Sequence, residues 1–144
     1  MADTIFEMSE WIAAPPEIVF EYFVDPEKLV QWMGLEAEVD AVAGGAWRIL
    51  FPGGLVTWGK FVTIAPPNHL VFTWGSRHPE GRPEPGGAGH TVLGDSVVEV
   101  TLTARDGRTL LNLKHTGFAA SEGVAIGWTA FLGALAAVAG MASI

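Results

Sequence analysis

The last eighteen residues, "GWTAFLGALAAVAGMASI" (127–144), belong to an apolar run that starts at Val124 and carries no charge over 21 residues. Coiled as a helix, such a run reaches about 32 Å, close to the thickness of a bilayer's hydrocarbon core. It is therefore either a membrane anchor or the cover of something apolar elsewhere in the chain. Against an anchor, the run is rich in Ala and Gly, which contribute little insertion energy, and it lacks a basic flank to orient it. Val124, Trp128, Phe131, Leu132, Leu135 and Val138 recur at helical spacing, with Ser121 placed to cap the start. The reading is a covering helix and no membrane.

The upstream sequence supplies what such a helix would cover. Thr4 to Ile12 alternates as a strand, with Phe6, Met8 and Ile12 on one face and Ile5 and Trp11 on the other. Pro15 and Pro16 suit a helix entrance, Ile18, Val19, Tyr22 and Phe23 follow at helical spacing, and Asp25-Pro26 opens a second short helix. The period then drops toward two. Strands are expected over 36–42, 46–51, 56–65, 69–75, 96–104 and 109–116, with hairpin turns at "AGGAW" (43–47) and Asp106-Gly107. Residues 77–94, rich in proline and glycine, read as a long loop that gates whatever lies beside it. Consecutive strands with tight turns imply one antiparallel sheet with helices on one face, an α+β arrangement over residues 1–144 as one domain.

Composition removes several functions. The chain of 144 residues is 49% hydrophobic and 17% charged, with net charge −8. Its few Lys and Arg residues are scattered, so there is no basic stripe for nucleic acid. Without cysteine there is no disulfide, thiolate nucleophile or Cys-ligated metal. The acidic N-terminal stretch is unlike a secretory signal, which points to the cytoplasm. His78 and His90 lack zinc-site spacing, and no Walker loop, GxSxG elbow or dinucleotide fingerprint occurs. No metal and no cofactor are expected.

The order strand, two short helices, six strands, long helix resembles the START-like helix-grip (SRPBCC) superfamily. Within it, the chain is similar to bacterial proteins related to the C-terminal domain of the activator of heat-shock protein 90 ATPase. The stretches that carry this are "IAAPPEIVFEYFVDPEKLVQWMG", "AGGAWRI", "GKFVTIAPPNHLVFTW", "SVVEVTLTARDGRTLLNLKHTGF" and the Gly127-Trp128 pair. The resemblance implies a seven-stranded curved sheet wrapped on the C-terminal helix, with a deep apolar pocket between them.

Trp58, Phe72, Trp74, Trp128 and Phe131 are groups of the kind that line such a pocket or fill a core. His115 shares strand parity with Leu111 and Leu113, so it points inward, as a ligand contact, a proton carrier or a satisfied interior histidine. Arg48 and Glu99 have surface parity. Three functions follow as expectations: a binder of a hydrophobic small molecule, a cyclase/aromatase-like or hydrolase-like enzyme in the same cavity, and a regulator of a chaperone ATPase. The chain's length leaves no room for the extra N-terminal domain of the eukaryotic activators, which weighs against the third. Exposed edge strands leave a homodimer open.

Overall fold

The computed structural model describes residues 4–51, 54, 56–77, 96–118 and 122–142. Ten elements follow in the order β1 (Thr4–Ile12), α1 (Pro16–Val24), α2 (Pro26–Leu29), β2 (Glu36–Val39), β3 (Ala46–Leu50), β4 (Val56–Ala65), β5 (His69–Arg77), β6 (Ser96–Arg105), β7 (Arg108–Phe118) and α3 (Glu122–Ala142). The strands form one seven-stranded antiparallel sheet in the order β1-β7-β6-β5-β4-β3-β2. The first strand therefore pairs with the last. This is the helix-grip arrangement expected from the sequence.

Local chemistry places the boundaries. Pro15 and Pro16 begin α1, and Asp25 both ends it and starts α2: its backbone N–H donates to the Glu21 carbonyl at 2.9 Å, while its carboxylate accepts the Glu27 N–H at 3.0 Å. Asp106 and Gly107 both have positive φ, 55° and 79°, as a two-residue type I′ turn requires. The strand expected over 36–42 stops at Val39. Beyond it the backbone bonds to itself, Val42 N–H to the Asp40 carbonyl and Gly45 N–H to the Val42 carbonyl, both 2.8 Å, so these groups are lost to the ladder. β5 and β7 each run two residues past the expected ends. Arg77, the first residue of the loop expected over 77–94, belongs to β5, and the rest of that loop, with His78, His90 and Ser121, lies outside the described residues.

A bulge divides β4. Phe61 pairs with Phe72 and Thr63 with Val71, so Val62 is an extra residue and stands 55% exposed. An extra residue reverses the inward face. Thr57, Gly59 and Phe61 point inward before the bulge, and Ile64 packs on the core after it.

The terminal helix covers the inner face. Trp128, Leu132, Leu135 and Ala139 form one buried stripe, and Thr129, Ala130, Gly133 and Ala137 face outward. α3 packs on β1 and α1. Fully burying a leucine side chain contributes roughly 1.5–3 kcal/mol, which gives the stripe a clear reason to stay on the sheet. Among the described residues, no helix is long and apolar enough to cross a membrane.

Two substitutions on α3 should separate its faces. Leu135 is fully buried, so Leu135→Ala should lower the unfolding free energy by about 2–5 kcal/mol. A Cβ at Gly133 would meet no neighbouring atom within 4 Å, so Gly133→Ala should raise stability by roughly 0.5–1 kcal/mol. Urea denaturation of both variants checks the assignment, and a Leu135→Ala protein as stable as the parent would place the stripe wrongly.

Candidate functional site

The side chains meeting between sheet and helices are mainly aromatic. From the bulge outward, Phe61 lies 6.3 Å from Phe72 between ring centroids, Phe72 5.6 Å from Trp47, Trp47 5.2 Å from Trp74, and Trp74 5.1 Å from Trp128. Trp128 continues to Phe131 at 6.1 Å, and Phe131 to Phe51 at 5.8 Å. These are tilted or edge-to-face contacts, the arrangements ring quadrupoles favour. The belt runs from β4 across β5 and β3 to α3. α2 and the turn after it close the near side with Leu29, Trp32 and Met33, and Trp32 is held by an Nε1–H bond to the Tyr22 carbonyl at 2.8 Å.

Within this enclosure lies a wholly apolar cavity of about 20 Å³. That is room for about one water molecule. The deep pocket implied by the resemblance is contracted here, because the aromatic rings occupy it.

Of the six residues expected to line the pocket, Phe72, Trp74 and Trp128 do so. Phe131 sits beside it, half-buried against Phe51 and Trp128. His115 lies behind Trp74 and Trp128, at 6.0 and 6.2 Å between ring centroids. Trp58 is corrected: it stands on the outer face beside Arg48, its partner across β3, and lines an open groove of about 730 Å³ with Glu38, Lys60 and Thr73. The bulge is the cause. Counting inward positions back from Ile64 puts Trp58 inside, whereas the extra residue at Val62 puts Thr57 and Gly59 there. Trp47, Phe23, Trp32, Met33 and Phe61 are lining residues that the sequence reading did not select. For Trp47 the signal was present in its parity opposite the exposed Arg48.

Gly59 makes the placement of Trp47 workable. A Cβ there would collide with the Thr73 carbonyl and lie 2.6 Å from Trp47 Nε1. Only a residue without a side chain lets the indole lie this close to β4.

His115 is 1% exposed, and its Nδ1 accepts the Trp128 Nε1–H at 3.1 Å. An indole N–H can only donate, so Nδ1 carries the lone pair and Nε2 the proton. Burial pushes the imidazole pKa down from 6.5 to about 4. At neutral pH the ring is uncharged and its Nδ1 lone pair is engaged, which makes it a poor proton acceptor and a good anchor. Glu99 and His69 pair across the outer face at 2.7 Å. Among the described residues, no three His, Asp or Glu side chains gather as a metal site.

Residues 13–140 match the family model described as Activator of Hsp90 ATPase homolog 1-like protein. Comparison with curated sequences returns no match. Among solved structures, a structural-genomics protein of Mesorhizobium loti superposes with TM-score 0.76 at 21% identity, over 94% of this chain and 96% of that one. A Plasmodium falciparum protein described as an HSP90 activator superposes with TM-score 0.71 at 28% identity, over 94% and 96%. The Aha1 dimer of Colwellia psychrerythraea, solved in solution, gives TM-score 0.74 at 17% identity, over 92% and 93%.

The buried imidazole should give stability a pH dependence of known sign. Above pH 6.5 it is neutral in both folded and unfolded chains. Between 6.5 and about 4 the unfolded chain binds the proton and the folded chain does not, so stability falls as pH falls, by roughly 3 kcal/mol over the window. His115→Gln removes this titration. The difference in unfolding free energy between parent and variant, measured by urea denaturation at pH 7, 6, 5 and 4, should shift by that amount in the variant's favour. Parallel profiles would mean the ring is protonated as easily inside as outside.

Proposed function

The chain belongs to that family, the activator of Hsp90 ATPase homolog 1-like proteins, and we propose that it holds a small hydrophobic or aromatic molecule between the sheet and α3. One observation carries this reading: the sheet–helix junction is lined by aromatic and aliphatic side chains around a cavity with no polar lining, and two of its rings, Trp74 and Phe131, are only half-buried. Apolar enclosure is what a binding site for such a ligand requires. The unliganded cavity of about 20 Å³ is too small for an aromatic molecule, so binding would replace ring–ring contacts with ring–ligand contacts as these two side chains move aside. Catalysis receives less support, since His115 is neutral and its Nδ1 is engaged by Trp128.

The description of the Plasmodium relative supports a second reading, regulation of a chaperone ATPase through protein contacts. The two readings separate by experiment. N-phenyl-1-naphthylamine is neutral and brightens in apolar surroundings; its titration should give a saturable one-to-one signal, excited through the tryptophans and reduced by enlarging the side chain at Ile49, on the cavity wall, to Phe. A signal that never saturates, or that Ile49→Phe leaves unchanged, would remove the ligand reading. Stimulation of an Hsp90 ATPase by the purified protein, with no saturable probe binding, would favour the second.

A further inference from the structure

Two buried polar atoms on the inner face are not accounted for by the fold. Trp47 is 5% exposed and Thr57 2% exposed, and neither Trp47 Nε1 nor Thr57 Oγ1 has a hydrogen-bond partner among the described residues. Buried polar groups are nearly always paired, and each one left alone calls for a reason. Two other buried polar side chains are satisfied by the protein: Ser96 Oγ–H donates to the Trp74 carbonyl at 2.6 Å, and Thr109 Oγ1–H to the Ala14 carbonyl at 2.7 Å.

The two atoms share a place. Trp47 Nε1 lies over Gly59, and Thr57 occupies the next inward position along β4. Across the sheet, Trp47 pairs with Gly59 and Ile49 with Thr57, and both Trp47 and Ile49 line the cavity. Behind the apolar surface that the cavity presents, neighbouring sheet positions thus carry an indole N–H, which can only donate, and a hydroxyl, which can donate as well. The charge balance narrows the complement. No Lys or Arg is among the buried described residues, and the chain's net charge is −8, so a carboxylate or phosphate would be desolvated without a counter-charge.

We infer that Trp47 and Thr57, beneath the cavity's apolar surface, form the polar contact that a ligand reaches once the lining rings move, and that this ligand is a neutral apolar molecule bearing one hydrogen-bond acceptor, such as a carbonyl oxygen. This rests on the ligand-binding reading above and adds the chemical class. In the unliganded protein the two donors have no partner among the described residues; the ligand's oxygen takes their hydrogen bonds when the rings open.

The test compares 2-acetylnaphthalene with 2-ethylnaphthalene, which has a similar shape without the acceptor. Both are titrated into ¹⁵N-labelled protein and followed through the tryptophan indole N–H signals, with the Trp47 signal assigned from Trp47→Phe. The ketone should bind about tenfold more tightly than the hydrocarbon and move the Trp47 signal downfield. Thr57→Val, which keeps the side chain's shape, should bring the two affinities to within about twofold, and Thr57→Ser should restore the preference. If Trp47→Phe fails to fold, Thr57→Val and Thr57→Ser carry the test. Equal binding of both probes, unaffected by Thr57→Val, overturns the inference and leaves the ligand reading standing. Binding of neither probe overturns both.

Discussion

An indole N–H can donate a hydrogen bond and cannot accept one, and this constraint at Trp128 governs how the long helix meets the sheet. α3 is apolar on nearly all sides, with alanine and glycine facing outward as well as in. Burial favours the side that carries Trp128, Leu132 and Leu135 over the one that carries Thr129, Ala130, Gly133 and Ala137, but burial is non-directional and does not fix the contact in detail. The bond from Trp128 to His115 Nδ1 adds a direction to it. Once Trp128 is turned inward, Leu132, Leu135 and Ala139 follow on the same stripe. The same bond fixes the imidazole tautomer, and the charged form is excluded by burial.

The aromatic belt follows from that orientation. With Trp128 inside, its ring meets Trp74 from β5, and Trp74 meets Trp47 from β3, so the helix and the two halves of the sheet are joined through three indoles. Large rigid rings pack with offsets, and offset packing of several rings leaves small gaps between them. The cavity is such a gap. Its walls come from side chains on separate elements, which makes it easier to enlarge by moving rings than by moving backbone.

Much of this was legible in the sequence. The limits of β4, the turn at Asp106-Gly107 and the double role of Asp25 follow from patterns within a few residues. So does the inward direction of His115, which shares parity with its leucine neighbours. Trp58 was not legible, because the phase of β4 is reset by a bulge whose existence depends on pairing with β5. The contracted state of the cavity was not legible either. It depends on how rings from β3, β5 and α3 fit one another, a property of the assembled sheet that no local pattern carries. Asp40 and Val42 show a milder version, where local turn bonds shorten a strand whose alternation runs on.

The pairing of the first strand with the last has a consequence for the order in which the protein can be made. Among the described residues β1 hydrogen-bonds within the sheet only to β7, with Thr4 opposite Phe118 and Ile12 opposite Thr109. Synthesis proceeds from the N-terminus at about 5–20 residues per second, so β1 leaves the ribosome well before its partner exists. For those seconds a strand with Ile5 and Trp11 on one face and Phe6, Met8 and Ile12 on the other has neither ladder nor cover. The residues that complete the sheet and those that cover it follow the other elements, and adjoin one another in the chain. The complete sheet of this domain thus waits for β7 and α3 to be made, and in the interval β1 carries apolar side chains on both faces without their native partners.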